Sequence, residues 1–199
     1  MKRVLFVTIL IAVLVITGCS FDSRFLKPYK IPSEKRELTI KSKDDSLLVT
    51  FTGENHQPTF SNNDNKLIPV TYKIDSRTFK SESGNLLHGW LLSPLNETSN
   101  GITLLHFHGN AGCILSNLTA IAPLVDKGFK IFMFDYSGFG YSEGKATRKN
   151  VLLDAESALE YVTNIEKLAN DKLVIYGQSL GGHVSAVVAT EKQDEIDGL

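Results

Sequence analysis

The sequence is poor in cysteine and has no excess of either charge. Cys19 and Cys113 are the two cysteines among 199 residues, too few for a disulfide framework and without the spaced Cys/His cluster of a zinc site. The formal net charge is −1 and no Lys/Arg cluster occurs, which argues against nucleic-acid binding. Hydrophobic residues make up 42% and charged residues 22%, so we expect a folded core of single-domain size.

The longest apolar run lies at the N-terminus. Residues 4–16, VLFVTILIAVLVI, follow two cationic residues and contain a single polar side chain, Thr8. A bilayer span needs about 20 apolar residues, so this shorter run predicts a secretory signal peptide over residues 1–18. An N-terminal membrane-anchor helix is the alternative.

The end of this segment, ITGC at residues 16–19, resembles the lipobox of bacterial lipoproteins. The resemblance implies that Cys19 is diacylated on sulfur and acylated on its new amine after cleavage, which suffices for stable anchoring. In Gram-negative lipoproteins an Asp after the Cys tends to retain the protein in the inner membrane. Ser20 at this position therefore implies the outer membrane, facing the periplasm. Without Lys2 and Arg3 the mature chain carries 19 basic and 22 acidic side chains, or −3.

Two regions of different character follow the signal. Residues 19–65 are polar and interrupted by proline, which predicts a tether leading into one or two strands. Residues 66–199 begin with two alternating segments that predict a β-hairpin and continue as alternating strands and helices. This order predicts an α/β fold: a mostly parallel sheet with helices on both faces and an antiparallel N-terminal hairpin.

Each predicted strand of the second region runs into a glycine-rich loop. These loops are HGNAG at 108–112, SGFGYSEG at 137–144 and GQSLGG at 177–182. Because they follow parallel strands, we expect them to meet at the carboxyl edge of the sheet, where such folds bind ligands. Neither of the last two has the G-x-G-x-x-G spacing of a dinucleotide-binding module.

The third loop contains G-x-S-x-G, residues 177–181, between an apolar strand and a helix. In that context the motif predicts a nucleophile elbow, in which Ser179 stands on a strained turn and its neighbours two residues away must be glycine. A packing turn between strand and helix is the alternative. The backbone N–H of the next residue, Leu180, is the expected first oxyanion donor. Esterases with His-Gly-X in the earlier loop use X as the second donor, and by this resemblance we assign Asn110.

These motifs together, LHGW, HGNAG, DYSGFGYSEG and GQSLGG, resemble the α/β-hydrolase superfamily, and within it membrane-associated serine hydrolases of the esterase and lysophospholipase type. The resemblance covers residues 68–199 and implies a Ser-His-Asp hydrolase that acts on esters or thioesters without a cofactor. Ser137 departs from the pattern, since relatives commonly have Arg there, which puts the local loop structure in question. Cys113 stands where relatives often have a polar residue, and we expect it to be a buried bystander.

The acid and the base of the triad are not evident. They follow the serine in this fold, but residues 180–199 contain one histidine, His183. It lies one turn along the helix from Ser179 and is poorly placed as a base. The sequence EIDGL at 195–199 resembles the start of a further strand. We therefore expect a truncated hydrolase domain whose acid and base lie beyond residue 199.

Two functions of different class remain open at this point. One is a lipid-anchored serine hydrolase that forms an acyl-enzyme on Ser179, with the membrane and an ester-like substrate as its partners. The other is a non-catalytic envelope lipoprotein built on a decayed or truncated hydrolase fold. The intact elbow favours the first, and the missing acid and base favour the second.

Overall fold

The computed structural model describes residues 22, 24–41, 46–96, 98–165, 168 and 170–199. The predicted signal peptide and Cys19 lie outside the described residues. Within these ranges, none of the helices combines the length and the apolar character that a membrane crossing requires.

The described residues form ten strands and three α-helices. The strands are β1 (Lys27–Pro28), β2 (Glu37–Lys41), β3 (Ser46–Thr52), β4 (Gln57–Ser61), β5 (Tyr72–Lys80), β6 (Leu86–Pro94), β7 (Ile102–Phe107), β8 (Ala111–Gly112), β9 (Lys130–Phe134) and β10 (Lys172–Gly177). The helices are α1 (Ile114–Ile121), α2 (Arg148–Thr163) and α3 (Leu180–Glu191). Two 3-10 turns cover Ala122–Lys127 and Gln193–Glu195.

The central sheet has five strands in the order β10-β7-β9-β6-β5. β5 and β6 form an antiparallel hairpin, and β6 also pairs antiparallel with β9. β9, β7 and β10 are parallel to one another. The predicted α/β fold with an antiparallel N-terminal hairpin is confirmed. Two of the four strand pairings in this sheet are parallel.

Helices lie on both faces of the sheet because its strands are apolar on both sides. Along β9, Phe132 and Phe134 belong to one buried cluster, while Ile131 and Met133 belong to another, as the two-residue period of a strand requires. The first cluster contains side chains of α2 and α3, and the second those of α1. The helix α2 turns one apolar face to the sheet: Val151, Ala155, Ala158, Leu159 and Val162 are all buried in the first cluster.

The helical segment after the HGNAG loop has two parts. α1 ends at Ile121 and a 3-10 turn continues to Lys127. Pro123 stands at the start of that turn, and its missing N–H cannot continue the α-helical ladder. Gly128 ends it at φ 89°, the left-handed cap for which glycine is suited.

Residues 24–61 are more ordered than their polar composition predicts. β2, β3 and β4 form a three-stranded antiparallel sheet, where one or two strands were expected. Val49, Phe51 and Phe60 from it are buried in the same cluster as α1. Pro58 does not prevent β4 from forming, because β4 is an edge strand with β3 as its partner.

The end of the described chain lies beside β10. The N–H of Asp197 donates to the Leu173 carbonyl (2.7 Å), and the N–H of Ile175 donates to the Gly198 carbonyl (2.9 Å). These bonds form a parallel bridge between Val174 and Gly198. The prediction that EIDGL begins a further strand agrees with this pairing.

Three histidines are buried in the core. Burial lowers the pKa of His88 to about 3, of His106 to about 4 and of His108 to about 3. Burial acts in the opposite sense on Asp135, whose pKa rises to about 7. Neither ring nitrogen of His106 has a hydrogen-bond partner among the described residues, and its ring stacks on Tyr176. All four groups are therefore neutral near pH 6.

These shifts predict that acid destabilises the fold. Below pH 6.5 the unfolded chain binds three histidine protons that the folded protein excludes, whereas the folded protein holds one extra proton on Asp135 between about pH 4 and 7. The net difference of two protons lowers the free energy of unfolding by roughly 3 kcal/mol per pH unit between pH 6.5 and 4. Urea denaturation at pH 7, 6 and 5 measures this slope.

His106→Phe is the matched variant for this prediction. It keeps the stacking on Tyr176 and removes one titrating ring whose nitrogens are unpartnered within the described residues. We expect the slope of stability against pH to be about halved, with greater stability than wild type at pH 5. An unchanged slope would show that His106 does not titrate in this way.

Candidate active site

Ser179 occupies a strained turn between β10 and α3. Its backbone angles are φ 55° and ψ −114°, a region that residues with a side chain rarely adopt. Such strain persists only where the surrounding structure enforces it, and it is typical of functional positions. The geometry is that of the predicted nucleophile elbow.

The two glycines of the motif have no room for a side chain. A Cβ on Gly181 would lie 1.9 Å from the Phe107 carbonyl oxygen at the end of β7. A Cβ on Gly177 would lie 2.2 Å from Ser185 Oγ and 2.4 Å from the Gly181 carbonyl oxygen. Both positions therefore require glycine because strand β10, helix α3 and strand β7 meet there in direct backbone contact.

The hydroxyl of Ser179 is left available for chemistry. Ser179 is the N-cap of α3, where a serine usually accepts a hydrogen bond from the first turn, but it makes no side-chain capping bond. The residue is exposed. Leu180 begins the helix, so its N–H belongs to the first turn, whose N–H groups lack intrahelical partners and carry the positive end of the helix dipole.

The HGNAG loop lies directly against this elbow. The Gln178 N–H donates to the Phe107 carbonyl (3.1 Å), and a Cβ built on Gly109 would lie 3.7 Å from Ser179 Cβ. Asn110 is thus the next residue after one that contacts the serine. The structure brings the loop of Asn110 together with Ser179 and Leu180, as the sequence predicted.

A segment of the N-terminal extension holds the HGNAG loop in place. We call residues 24–31 the strap. Its Lys27 N–H donates to the Asn110 carbonyl (2.8 Å), and Asn110 Nδ2 donates to the Phe25 carbonyl (2.9 Å). β1 of the strap pairs in parallel with β8 of the loop. These bonds involve the carbonyl oxygen and the side chain of Asn110. They do not involve its backbone N–H, which is the assigned oxyanion donor.

The strap also binds the second glycine-rich loop. The Gly140 N–H donates to the Tyr29 carbonyl (2.9 Å), and the Ile31 N–H donates to the Gly140 carbonyl (2.8 Å). The Lys30 ammonium donates to the Ser142 carbonyl. Leu26 and Ile31 point inward, each into a different core cluster. The strap therefore connects both loops at the carboxyl edge to the two halves of the core.

His108 supports the loop from below and does not reach the surface. It is fully buried, and its Nδ1 donates to the Gly109 carbonyl (2.7 Å). Its Nε2 lies 3.6 Å from Asp135 Oδ1, and the other side of that carboxyl group contacts Gly140, where a Cβ would lie 1.9 Å from Oδ2. His108 therefore braces the loop from the core side.

The two departures from the family pattern are accommodated locally. Ser137 is buried, its N–H donates to Asp154 Oδ2 (2.6 Å), and its hydroxyl accepts from Asn85 Nδ2 (2.9 Å). The Asp154 carboxylate also accepts from Ser81 Oγ (2.6 Å), so serine hydroxyls satisfy it without an arginine at 137. Burial raises the pKa of the Cys113 thiol to about 12, which makes it unreactive, as expected of a bystander.

An apolar cavity of about 550 Å³ opens beside Ser179. Its volume falls in the range of small-molecule sites. Aliphatic and aromatic side chains from the strap, α2 and α3 form most of the lining, with Ser179, His183 and Arg148 as the polar members. The apolar members are Phe25, Leu26, Val151, Leu152, Leu180, Val184 and Val187.

The cavity adds residues that sequence patterns did not single out. Phe25 and Leu26 come from the region predicted as a tether, and Arg148 comes from the start of α2. The strap, RFLKPYKI, gives only a weak strand signal because its apolar residues do not alternate regularly. Cys19, the predicted lipidation site, lies outside the described residues, so that assignment stays a prediction.

The close approach at Gly181 predicts a sharp contrast between two adjacent glycines. Gly181→Ala places a methyl group against the Phe107 carbonyl, whereas a Cβ on Gly182 has its nearest neighbour at 3.5 Å, an ordinary contact. We expect Gly181→Ala to lower the melting temperature by about 5 °C or more. Gly182→Ala should retain or raise it, since alanine favours a helix by about 1 kcal/mol. Calorimetry of both variants tests this, and equal melting temperatures would contradict the contact.

Comparison with known proteins agrees with this geometry. Residues 102–199 match the family model described as the alpha/beta hydrolase fold. The chain is 37% identical over 123 residues to the uncharacterized protein YfhR of Salmonella typhi, covering 60% of this chain and 42% of that protein. It is 32% identical over 121 residues to the alpha/beta hydrolase domain-containing protein WAV2 of Arabidopsis thaliana, covering 60% and 39%.

The fold is also found among solved structures. The Pyrococcus furiosus esterase Pf2001 superposes with a TM-score of 0.57 at 17% identity, covering 88% of this chain and 55% of that one. The chain spans about two fifths of the length of the two sequence relatives named above. The matched residues contain the elbow, the HGNAG loop and the parallel strands, and the chain belongs to the α/β-hydrolase superfamily.

Proposed function

We propose that this protein is a lipid-anchored serine hydrolase that cleaves esters or thioesters through an acyl-enzyme on Ser179. The observation that carries the proposal is the exposed, strained Ser179, held by two obligatory glycines at the mouth of an apolar cavity. A packing turn would not require a non-glycine residue at φ 55°. The esterase named among the structural neighbours shares the fold, and its activity is not carried over to this chain.

The reaction follows from these positions. Ser179 Oγ attacks the carbonyl carbon of the substrate while a base takes the hydroxyl proton. The oxyanion accepts hydrogen bonds from the N–H groups of Leu180 and Asn110. The bond from the carbonyl carbon to the alcohol or thiol then breaks, and the leaving group departs with that proton. Water attacks the acyl-enzyme in the same way, releases the acid and returns a proton to Ser179.

The identity of the base separates the two candidate functions. Among the described residues, Ser179 Oγ has no hydrogen bond to a histidine. His183 lines the same cavity and is exposed, but it leaves the flank of α3 one turn after the serine. In this superfamily the acid and the histidine follow the serine along the chain. This arrangement keeps the non-catalytic envelope lipoprotein as the second candidate.

We also propose the cell envelope as the location. The support is the lipobox-like ITGC at residues 16–19 after a 13-residue apolar run. Lipidation of Cys19 would anchor the mature protein, and Ser20 favours the outer membrane, with the domain facing the periplasm.

Reactivity toward a fluorophosphonate probe tests the nucleophile. In the protein as its gene encodes it, we expect the probe to label Ser179 and labelling to be lost in Ser179→Ala. Ser33→Ala, which changes an exposed serine outside the site, is the control and should label normally. Undiminished labelling of Ser179→Ala would place the reactive serine elsewhere, and no labelling of wild type would favour the non-catalytic candidate.

Mass spectrometry of membrane-purified protein tests the anchor. The expected mature N-terminus is a Cys19 that carries acyl groups on sulfur and on the amine. Cys19→Ala should leave the signal uncleaved or the protein unanchored, because alanine has no sulfur to carry the acyl groups. Finding an unmodified Cys19 in the membrane fraction would refute the lipoprotein assignment.

A further inference from the structure

The predicted anchor lies close along the chain to a residue that binds the rim of the cavity. Cys19 precedes Asp22 by three residues, and three residues span at most about 11 Å. The Asp22 carboxylate binds Arg148 Nε (2.7 Å), and Arg148 lines the cavity beside Ser179. An acylated Cys19 therefore holds the cavity rim within about 11 Å of chain from the lipid anchor.

The outer surface of the strap suits a membrane surface. Leu26 and Ile31 are buried, while Phe25 and Tyr29 are 44% and 48% exposed. Aromatic side chains with this exposure are favoured at the boundary between headgroups and acyl chains. Arg24 and Lys27 of the strap are exposed basic residues, although the mature chain as a whole is acidic. A basic and aromatic segment beside an anchor is attracted to anionic headgroups.

One of these exposed aromatics is also a wall of the cavity. Phe25 lines the cavity together with aliphatic side chains of α2 and α3, and its carbonyl holds Asn110 of the HGNAG loop. The same segment thus lines the cavity and binds the loop that carries the assigned oxyanion donor. A substrate that enters past Phe25 reaches Ser179 with its acyl chain surrounded by apolar side chains.

We infer that the substrate class is an ester or thioester of a long acyl chain that resides in the same membrane as the anchor. The inference rests on the proposed function. The acyl chain passes from the bilayer along Phe25 into the cavity between α2 and α3, and the carbonyl carbon stops at Ser179 Oγ. The headgroup or leaving group stays at the aqueous rim near Arg148.

The first test is the dependence of hydrolysis on acyl length. With p-nitrophenyl esters and the protein as its gene encodes it, kcat/KM should rise at least tenfold from butyrate to octanoate, since each buried methylene contributes up to about fourfold. Val187→Trp fills the cavity and should flatten this rise. Ala186→Trp introduces the same side chain at the preceding position of α3, which is exposed and does not line the cavity, and it should keep the wild-type profile.

The second test is the dependence on the anchor. p-Nitrophenyl laurate is embedded in vesicles of phosphatidylcholine with phosphatidylglycerol. Wild type is compared with a Cys19→Ala variant from which residues 1–18 have also been removed, so that neither a lipid nor an uncleaved signal anchors it. We expect the variant to hydrolyse the embedded ester at least tenfold more slowly, while hydrolysis of soluble butyrate is the same for both. Equal rates on the embedded ester would overturn the inference.

The outcomes separate this inference from the proposed function. Ser179-dependent hydrolysis with a flat acyl-length profile would overturn the long-chain substrate class and leave the serine hydrolase standing. Absence of Ser179-dependent hydrolysis for every ester would overturn both. A rising profile that Val187→Trp abolishes and Ala186→Trp preserves, together with loss of embedded-ester hydrolysis in the unanchored variant, would support the inference.

Discussion

The contact between Gly181 and the carbonyl of Phe107 is the constraint on which the site depends. A Cβ at residue 181 would lie 1.9 Å from that oxygen, so helix α3 packs on the end of β7 at the distance of two bare backbones. This approach forces the chain to turn sharply after β10 and holds Ser179 at φ 55°. The strain is maintained by the packing of three elements, each of which is anchored in the core by its own apolar face. The exposed hydroxyl is a consequence of this packing.

The strap extends the same constraint to the other loops. It bonds to the HGNAG loop at Asn110 and to the second loop at Gly140, and Leu26 and Ile31 secure it in both core clusters. Glycine-rich loops have high conformational entropy, so they need such external bonds to keep hydrogen-bond donors in fixed positions. Fixed donors are what electrostatic stabilisation of an oxyanion requires. The N-terminal extension is therefore part of the site and not only a connection to it.

Neutral buried groups support the loops from inside the sheet. His108 and Asp135 lie 3.6 Å apart beneath the HGNAG loop. Burial lowers the pKa of His108 and raises the pKa of Asp135, so both side chains favour their neutral forms. The imidazole donates to the Gly109 carbonyl, and the Asp135 carboxyl accepts from the Ile114 N–H at the start of α1. This arrangement joins a loop, a strand end and a helix start without placing a charge in the core.

The sequence alone predicts the strand and helix order, the elbow at Ser179 and the HGNAG loop, because periodicity and glycine spacing are local properties of the chain. It did not determine the three-stranded sheet over residues 37–61, whose strands are polar on their outer side and are stabilised by burial of Val49, Phe51 and Phe60. The folded structure was needed to show that residues 24–31 bond to two glycine-rich loops and that Phe25 lines the cavity. Contacts between residues about 85 to 112 positions apart have no signature in the local pattern, since they depend on how the packed layers meet in space.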